Sequence, residues 1–277
     1  MILIEDIGEV RKFRLARALL GRGLYYTAAY WVDGLMIDTG CAYTVRELVT
    51  ALQGNSVERI VNTHSHEDHI GANSAVKRRF GAEILADPLG LPILMAPRQR
   101  QPLRPYQVIM WGYPEPSQGT AIGDVVETEK YRFQVIHTPG HSPDHICLYE
   151  PDRGWVFTGD AYIGGRDQAL RADYDIWGII SSLRDLAELD ISLLFTGSGS
   201  IREDARAALF EKIHYLEEIG TRVIELHGRG LGYGRIRRKL FGREQPISYL
   251  TLGNFSGKNL IRSFIEDRPA EQDFYDY

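Results

Sequence analysis

Residues 63–69 read THSHEDH, so three histidines and two carboxylates fall within seven residues of a chain that has eight histidines in all. The segment before this motif, VERIVNTH, predicts a short strand over 57–64, and the segment after it predicts a helix over 70–80. A tight loop between a strand and a helix can direct several side chains into one small space. Imidazole nitrogen and carboxylate oxygen are good ligands for zinc and similar divalent metals. The candidate ligands are His64, His66, Asp68 and His69.

Two later segments repeat this arrangement at the ends of strands. HTPGHSPDH (137–145) follows a predicted strand, and Pro139-Gly140 predicts a turn just before His141. GWVFTGDAY (154–162) ends an apolar run on Asp160. If the three strand ends lie side by side, their side chains can share one or two metal ions.

The order T-H-x-H-x-D-H, then TPGH, then TGD, each at a strand end, resembles the metallo-β-lactamase superfamily of metallo-hydrolases, and within it the glyoxalase II-like branch. The resemblance covers about the first 200 residues. It implies an α/β (α+β) fold, a four-layer αββα sandwich whose metal site lies at one edge between two sheets. We expect a catalytic domain over 1–220 and a basic, helical C-terminal extension over 221–277 packed on the same domain.

The resemblance also implies roles for individual residues. Asp38, in LMIDTG, would support the metal loop, and the bound ions would be one or two Zn²⁺, with Mn²⁺ or Fe²⁺ as alternatives. The implied first-metal ligands are His64, His66 and His141. The implied second-metal ligands are Asp68 and His69, with Asp160 bridging the two ions.

One position departs from the family pattern. Family members usually complete the second site with a histidine after a late strand, and the matching stretch here, LLFTGSGS (193–200), has Ser198 at that place. A serine hydroxyl is a poor zinc ligand beside imidazole, so we expect a weak or partly filled second site. Other histidines could substitute for it. The candidates are His137, His145, His214 and His227.

A metal-dependent hydrolase of an ester, thioester or lactone is the leading hypothesis. A metal ion lowers the pKa of bound water and supplies hydroxide as the attacking nucleophile. Asp68 would orient that hydroxide and take part in proton transfer. Tyr162 would either contact the substrate or pack beneath the loop, and both interpretations stay open.

Three alternatives accompany this hypothesis. The first is a phosphodiesterase or nuclease of the same fold, suggested by a basic cluster over 229–243, which is otherwise a solvated face. The second is a mononuclear iron oxidoreductase resembling the persulfide dioxygenases, which would use His64, His141 and Asp160. The third is a metal-binding module without catalytic activity.

Composition limits the partners. The net charge of −5 gives no general attraction to nucleic acid or anionic membrane, and no apolar run approaches the roughly 18 residues of a membrane span. Cys41 and Cys147 are too few for a disulfide framework, and the first residues lack the pattern of a signal peptide, so we expect a cytoplasmic protein. The expected partner is a small-molecule substrate, either anionic or neutral.

The proline-rich segment 96–122 is predicted to be a lid or recognition loop, and the acidic end 267–277 a loose tail or a homo-oligomer contact.

Overall fold

The computed structural model describes residues 1–267, which form two compact units. The first unit contains Met1–His137, Pro143–Ile163 and Asp190–Ala205. The second contains Thr138–Ser142, Gly164–Leu189 and the chain from Arg206 onward. This grouping differs from the expected boundary at residue 220, because one helix, Ala205–Gly228, runs through that position without a break.

A seven-stranded sheet forms the centre of the first unit. Its first four strands are antiparallel, and its last four, starting with Leu35–Ile37, are parallel to one another. The parallel strands end at the same edge, so the residues that follow Leu35–Ile37 and Arg59–Val61 come together there. In spatial order the strands are Ile2–Ile7, Val10–Leu15, Thr27–Val32, Leu35–Ile37, Arg59–Val61, Glu83–Ala86 and Thr120–Ala121.

A six-stranded sheet is the second layer of strands in this unit. Trp155–Gly159 and Leu193–Thr196 pair in parallel, which brings Asp160 and the 197–200 stretch to one edge of this sheet. In spatial order its strands are Val125–Glu127, Arg132–His137, Ile146–Glu150, Trp155–Gly159, Leu193–Thr196 and Ile201–Arg202.

The two sheets face each other across an apolar core. Alternate residues of one strand show the division: Ala28, Tyr30 and Val32 pack toward the second sheet, where Phe133 and Phe157 lie. The Tyr30 hydroxyl crosses the interface and donates to the Thr196 carbonyl at 2.6 Å.

Helices cover the other face of the first sheet. Leu48 and Val76 from these helices pack on Phe13, Met36 and Ile60 of the strands. The helix predicted over 70–80 begins only at Asn73, because residues 66–70 are used in a tight turn. The helices of this unit are Ala42–Thr44 (3₁₀), Val45–Ala51, Asn73–Phe80, Leu91–Met95, Pro97–Arg100 and Pro105–Met110.

The second unit is mainly helical. Its two short strands, Leu170–Arg171 and Phe255–Ser256, pair antiparallel. The Ser256 side chain accepts from the Asn259 backbone N–H at 3.2 Å and caps the last helix, a role typical of serine before a helix. The helices are Ile176–Ala187, Ala205–Gly228, Tyr233–Phe241, Pro246–Leu250 and Gly257–Glu266.

The structure shows where the basic cluster and the two cysteines lie. The basic cluster lies on and beside the helix Tyr233–Phe241, where Arg237 pairs with Glu244 at 2.9 Å while Arg238 and Lys239 are exposed. Cys41 and Cys147 are buried free thiols. No helix within residues 1–267 has the length and apolar character of a membrane span. The expected tail contact at 267–277 falls almost wholly outside the described residues.

Replacing Tyr30 by phenylalanine removes the hydroxyl that joins the two sheets and leaves the Thr196 carbonyl without that donor. We expect the free energy of unfolding to fall by about 1–2 kcal/mol. Denaturant unfolding followed by circular dichroism measures this. Tyr249→Phe is the control, because Tyr249 is 72% exposed and should change stability by less than about 0.5 kcal/mol. Equal stabilities of the two variants would contradict the assignment.

Candidate metal centre

The carboxylate of Asp38 holds the beginning and the end of the metal loop, which we define as residues 63–69. Asp38 follows the strand Leu35–Ile37 in a left-handed conformation, with φ of 60°, which aspartate tolerates better than most residues. Its Oδ1 accepts the Thr63 backbone N–H at 2.8 Å. Its Oδ2 accepts the Thr63 hydroxyl at 2.8 Å and lies 2.7 Å from Nδ1 of His69. All these groups are buried.

These bonds also decide which nitrogen of two histidines carries the proton. The Thr63 hydroxyl gives its single hydrogen to Asp38, so it can only accept from Nδ1 of His64, which lies 3.1 Å away. Nδ1 of His69 donates to the same carboxylate. With Nδ1 donating in both rings, Nε2 is the nitrogen of each ring that remains for a metal ion.

Three side chains meet at this point. One ligand atom from each of His64, His69 and Asp160 lies within 4.8 Å of the other two. Nε2 of His69 is 3.6 Å from Asp160 Oδ1 and 3.9 Å from Asp68 Oδ2. The His64 and His66 rings lie edge to face, with centroids 4.5 Å apart. Nitrogen and oxygen donors converge here in a buried space, and this donor set fits a divalent cation.

The electrostatics of the loop also suit a cation. Burial, together with the carboxylates of Glu67 and Asp160, raises the pKa of Asp68 to about 7 against the opposing charge on His69. For His69, burial lowers the pKa, but the carboxylates of Asp38, Asp160 and Asp68 together outweigh it and hold the pKa well above its usual value. Several carboxylates thus share a small buried volume, and a bound cation offsets their mutual repulsion.

His145 supports Asp160 instead of serving as a free ligand. Its Nε2 accepts the Asp160 backbone N–H at 3.1 Å. Burial lowers the pKa of His145 to about 3, with the charge on His69 contributing, so the ring is neutral and can accept this bond. Its ring lies 4.9 Å from the ring of His64. His145 therefore holds Asp160 in place through this backbone bond.

The stretch around Ser198 lies against Asp160. The Gly197 backbone N–H donates to the Gly159 carbonyl at 2.7 Å, and a Cβ at residue 197 would overlap Asp160 Oδ1. Ser198 is half-buried, and its Oγ is 3.0 Å from the hydroxyl of Thr196. The hydroxyls of this stretch bond one another, which is a different arrangement from a histidine ligand.

The remaining substitute candidates, His137, His214 and His227, have surroundings of their own. His137 is largely exposed and pairs with Asp87 at 3.3 Å. His214 and His227 are exposed on a helix of the second unit.

His141 belongs to the second unit, where it is buried. Its Nε2 lies 3.2 Å from the hydroxyl oxygen of Tyr174, and the two rings are 4.3 Å apart. The predicted turn before it exists: Gly140 has φ of 128°, and a Cβ there would overlap the Ile179 backbone nitrogen. Glycine is therefore required where this turn meets the helix Ile176–Ala187.

Some neighbours of the loop could not be identified from the sequence. Although Tyr25 is 48% exposed, its phenol has a pKa raised by partial burial and then by the Asp160 and Asp68 carboxylates, so the hydroxyl lies on the side of these carboxylates. Tyr25 also packs edge to face on Trp111, at 5.7 Å between ring centroids. No motif surrounds Tyr25. The predicted Tyr162 is 4% exposed in the first unit, and its contact with substrate stays a prediction.

Asp38→Asn tests the tautomer argument. An amide can replace only one carboxylate oxygen as an acceptor. Its NH₂ group cannot oppose the Thr63 backbone N–H at the place of Oδ1, so it takes the place of Oδ2 and faces the Thr63 hydroxyl and His69 Nδ1. His69 would then carry its proton on Nε2, and we expect the zinc affinity to fall about tenfold to a hundredfold. Competition with a chromophoric chelator measures the affinity. Glu150→Gln, a buried carboxylate that contacts Arg153 and no ligand, is the matched control. Equal affinities would contradict the argument.

The chain is similar to proteins of one known family. The family model of the metallo-beta-lactamase superfamily matches residues 22–198, which is more than half of the chain. Among curated relatives, the hydroxyacylglutathione hydrolase GloC of Haemophilus influenzae is 31% identical over 150 residues, covering 50% of this chain and 66% of that protein. The atrochrysone carboxyl ACP thioesterase of Aspergillus fumigatus is 27% identical over 193 residues, covering 68% of this chain and 54% of its own length. The chain thus spans less than two thirds of the length of these two relatives.

A solved structure extends the likeness to nearly the whole fold. The metallo-beta-lactamase family protein of Thermus thermophilus superposes with a TM-score of 0.63 at 17% identity, covering 92% of each chain. At this identity the likeness concerns the fold alone. The predicted fold class is confirmed: the chain belongs to the metallo-β-lactamase superfamily.

Proposed function

We propose that this protein is a metal-dependent hydrolase of thioesters. The observation that carries the proposal is the Asp38 carboxylate, which leaves Nε2 of both His64 and His69 ready to bind a metal beside Asp160. In this proposal the first ion is bound by His64, His66 and His141. The second is bound by Asp68 and His69, with Asp160 shared between the two.

The covalent chain supports the inclusion of His141. The carboxylate of Asp144 accepts the Ser65 backbone N–H at 2.9 Å, and Ser65 lies between His64 and His66. His141 precedes Asp144 by three residues, so their Cα atoms are at most about 11 Å apart.

The proposed chemistry divides between the ion and the chain. When bound, the metal provides a hydroxide nucleophile near neutral pH and polarises the carbonyl oxygen of the substrate. Asp68 would orient the nucleophile and hold its proton, a role that suits a buried carboxylate whose pKa is raised toward neutrality. The segment 96–122 contacts the loop through Gln107, in the helix Pro105–Met110, and would contact the acyl or thiol part of the substrate.

The thioester class is favoured within the predicted range of esters, thioesters and lactones. Two relatives carry names that describe thioester hydrolysis, one of a hydroxyacylglutathione and one of a carrier-protein thioester. The basic helix Tyr233–Phe241 cannot be matched residue by residue to a glutathione site, so the identity of the thiol is not part of the proposal.

The direct test compares substrates on protein purified without chelator or added metal. We expect hydroxyacylglutathione or another acyl thioester to release free thiol, and bis(p-nitrophenyl) phosphate to remain uncleaved. Asp68→Asn should lower kcat/KM about a thousandfold while the far-ultraviolet spectrum stays unchanged. Asp124→Asn, an exposed carboxylate, serves as control.

Each other result has a clear meaning. Cleavage of the phosphodiester but not the thioester would favour the nuclease alternative. Iron in the isolated protein, together with oxygen uptake on a persulfide, would favour the mononuclear oxidoreductase. A folded Asp68→Asn protein with full activity would reject the role of Asp68.

Ser198→His tests the number of ions. Since a serine hydroxyl is a weak ligand, we expect elemental mass spectrometry to find close to one ion per wild-type chain and a value nearer two in the variant. Ser200→His is the control, because residue 200 is exposed at the end of the same stretch. Two ions in the wild-type chain would show that the second site is complete with serine.

A further inference from the structure

A buried amide joins the metal loop to the segment 96–122. The side chain of Gln107, which is 5% exposed, donates from Nε2 to Glu67 Oε1 at 2.9 Å. Glu67 is 1% exposed and stands between His66 and Asp68 in the loop. Because a buried carboxylate that loses a donor is strongly destabilised, this bond restrains the loop at Glu67.

The orientation of this amide is fixed from both ends. Oε1 of Gln107 accepts the Arg104 backbone N–H at 2.9 Å, at the beginning of the helix Pro105–Met110. Rotating the amide by a half turn would oppose oxygen to the Glu67 carboxylate and NH₂ to the Arg104 N–H, which breaks both bonds. A single side chain thus caps the helix and binds the loop.

The same helix is held firmly at its other end. The Tyr43 hydroxyl donates to the Val108 carbonyl at 2.8 Å, and the Ala42 N–H donates to the Trp111 carbonyl at 3.1 Å. Residues 41–44 follow Asp38 closely in the chain. The Gln107 amide therefore adds to the supports that Asp38 and Asp144 give the loop, and it comes from a segment far away in sequence.

We propose that Gln107 is a positioning residue: through Glu67 it holds the turn at residues 66–70 in the conformation that binds metal. The inference rests on the proposed function in one respect, that this loop binds a metal ion. A consequence is reciprocal coupling, since a bond that helps the loop to bind metal is in turn stabilised when metal binds.

The test is the dissociation constant of Zn²⁺, measured on the full chain by chelator competition. Gln107→Met keeps the size of the side chain and removes both hydrogen bonds, and we expect zinc to bind about tenfold more weakly. Gln101→Met is the matched control in the same segment: Oε1 of Gln101 has no hydrogen-bond partner among residues 1–267, so its affinity should equal that of the wild type.

A double exchange separates positioning from general damage. Glu67→Gln combined with Gln107→Glu reverses the pair at constant charge: the new carboxylate accepts from both Arg104 and the new amide. We expect this variant to bind zinc within about threefold of the wild type. The exchange variant also tests the inference if Gln107→Met fails to fold. A zinc affinity of the exchange variant equal to that of the wild type supports the inference, and a folded exchange variant that binds zinc tenfold more weakly overturns it.

Hydrogen exchange supplies an independent readout. Zinc should slow the exchange of amides 106–111 in the wild type and in Gln101→Met but not in Gln107→Met, whereas a purely structural role would change thermal stability alone. Equal zinc affinity of Gln107→Met and the wild type overturns the inference and leaves the proposed function standing. A wild-type chain that binds no zinc overturns both.

Discussion

The carboxylate of Asp38 is the interaction on which the rest of the metal centre depends. It accepts three hydrogen bonds from Thr63 and His69, and it does so from a backbone conformation that most residues avoid. Its effect is chemical as well as structural. The Asp38 carboxylate holds the protons of His64 and His69 on Nδ1. It thereby determines that Nε2 is the atom of each ring that can bind a metal.

The two sheets deliver their contributions by the same geometrical rule. In the first sheet the parallel strands Leu35–Ile37 and Arg59–Val61 end together, which brings Asp38 to the metal loop. In the second, Trp155–Gly159 and Leu193–Thr196 are the parallel pair, and Asp160 meets Gly197. The Tyr30 hydroxyl and the apolar core keep the two sheets in register. Loops alone would not hold these side chains within ligand distance.

Much of this organisation is readable from the sequence because it depends on local patterns. The strand ends, the turn at Pro139-Gly140 and the cap at Ser256 follow from residue type and spacing, and the structure contains all of them. The motif THSHEDH indicates ligands because so many donors in so few residues have no simpler explanation.

Other features could not be predicted because they depend on contacts between distant residues. Gln107 lies 40 positions from Glu67 in a segment without a period, and nothing near it in sequence marks it as a partner of the loop. His145 resembles a ligand in its motif, yet its role follows from a backbone N–H fifteen residues away. The helix over 70–80 starts late for a similar reason, since the loop uses its first residues for a turn.

The close packing of Gly197 on Asp160 has a consequence for how such a centre can change over time. Residue 197 has no room for any side chain, whereas residue 198 is half-buried and held by hydroxyl contacts alone. Under the proposed function, the ligand that decides between one ion and two therefore occupies a position that contributes little to the scaffold. A single substitution at residue 198 would then change the number of ions, while Gly197 keeps the Asp160 carboxylate in place.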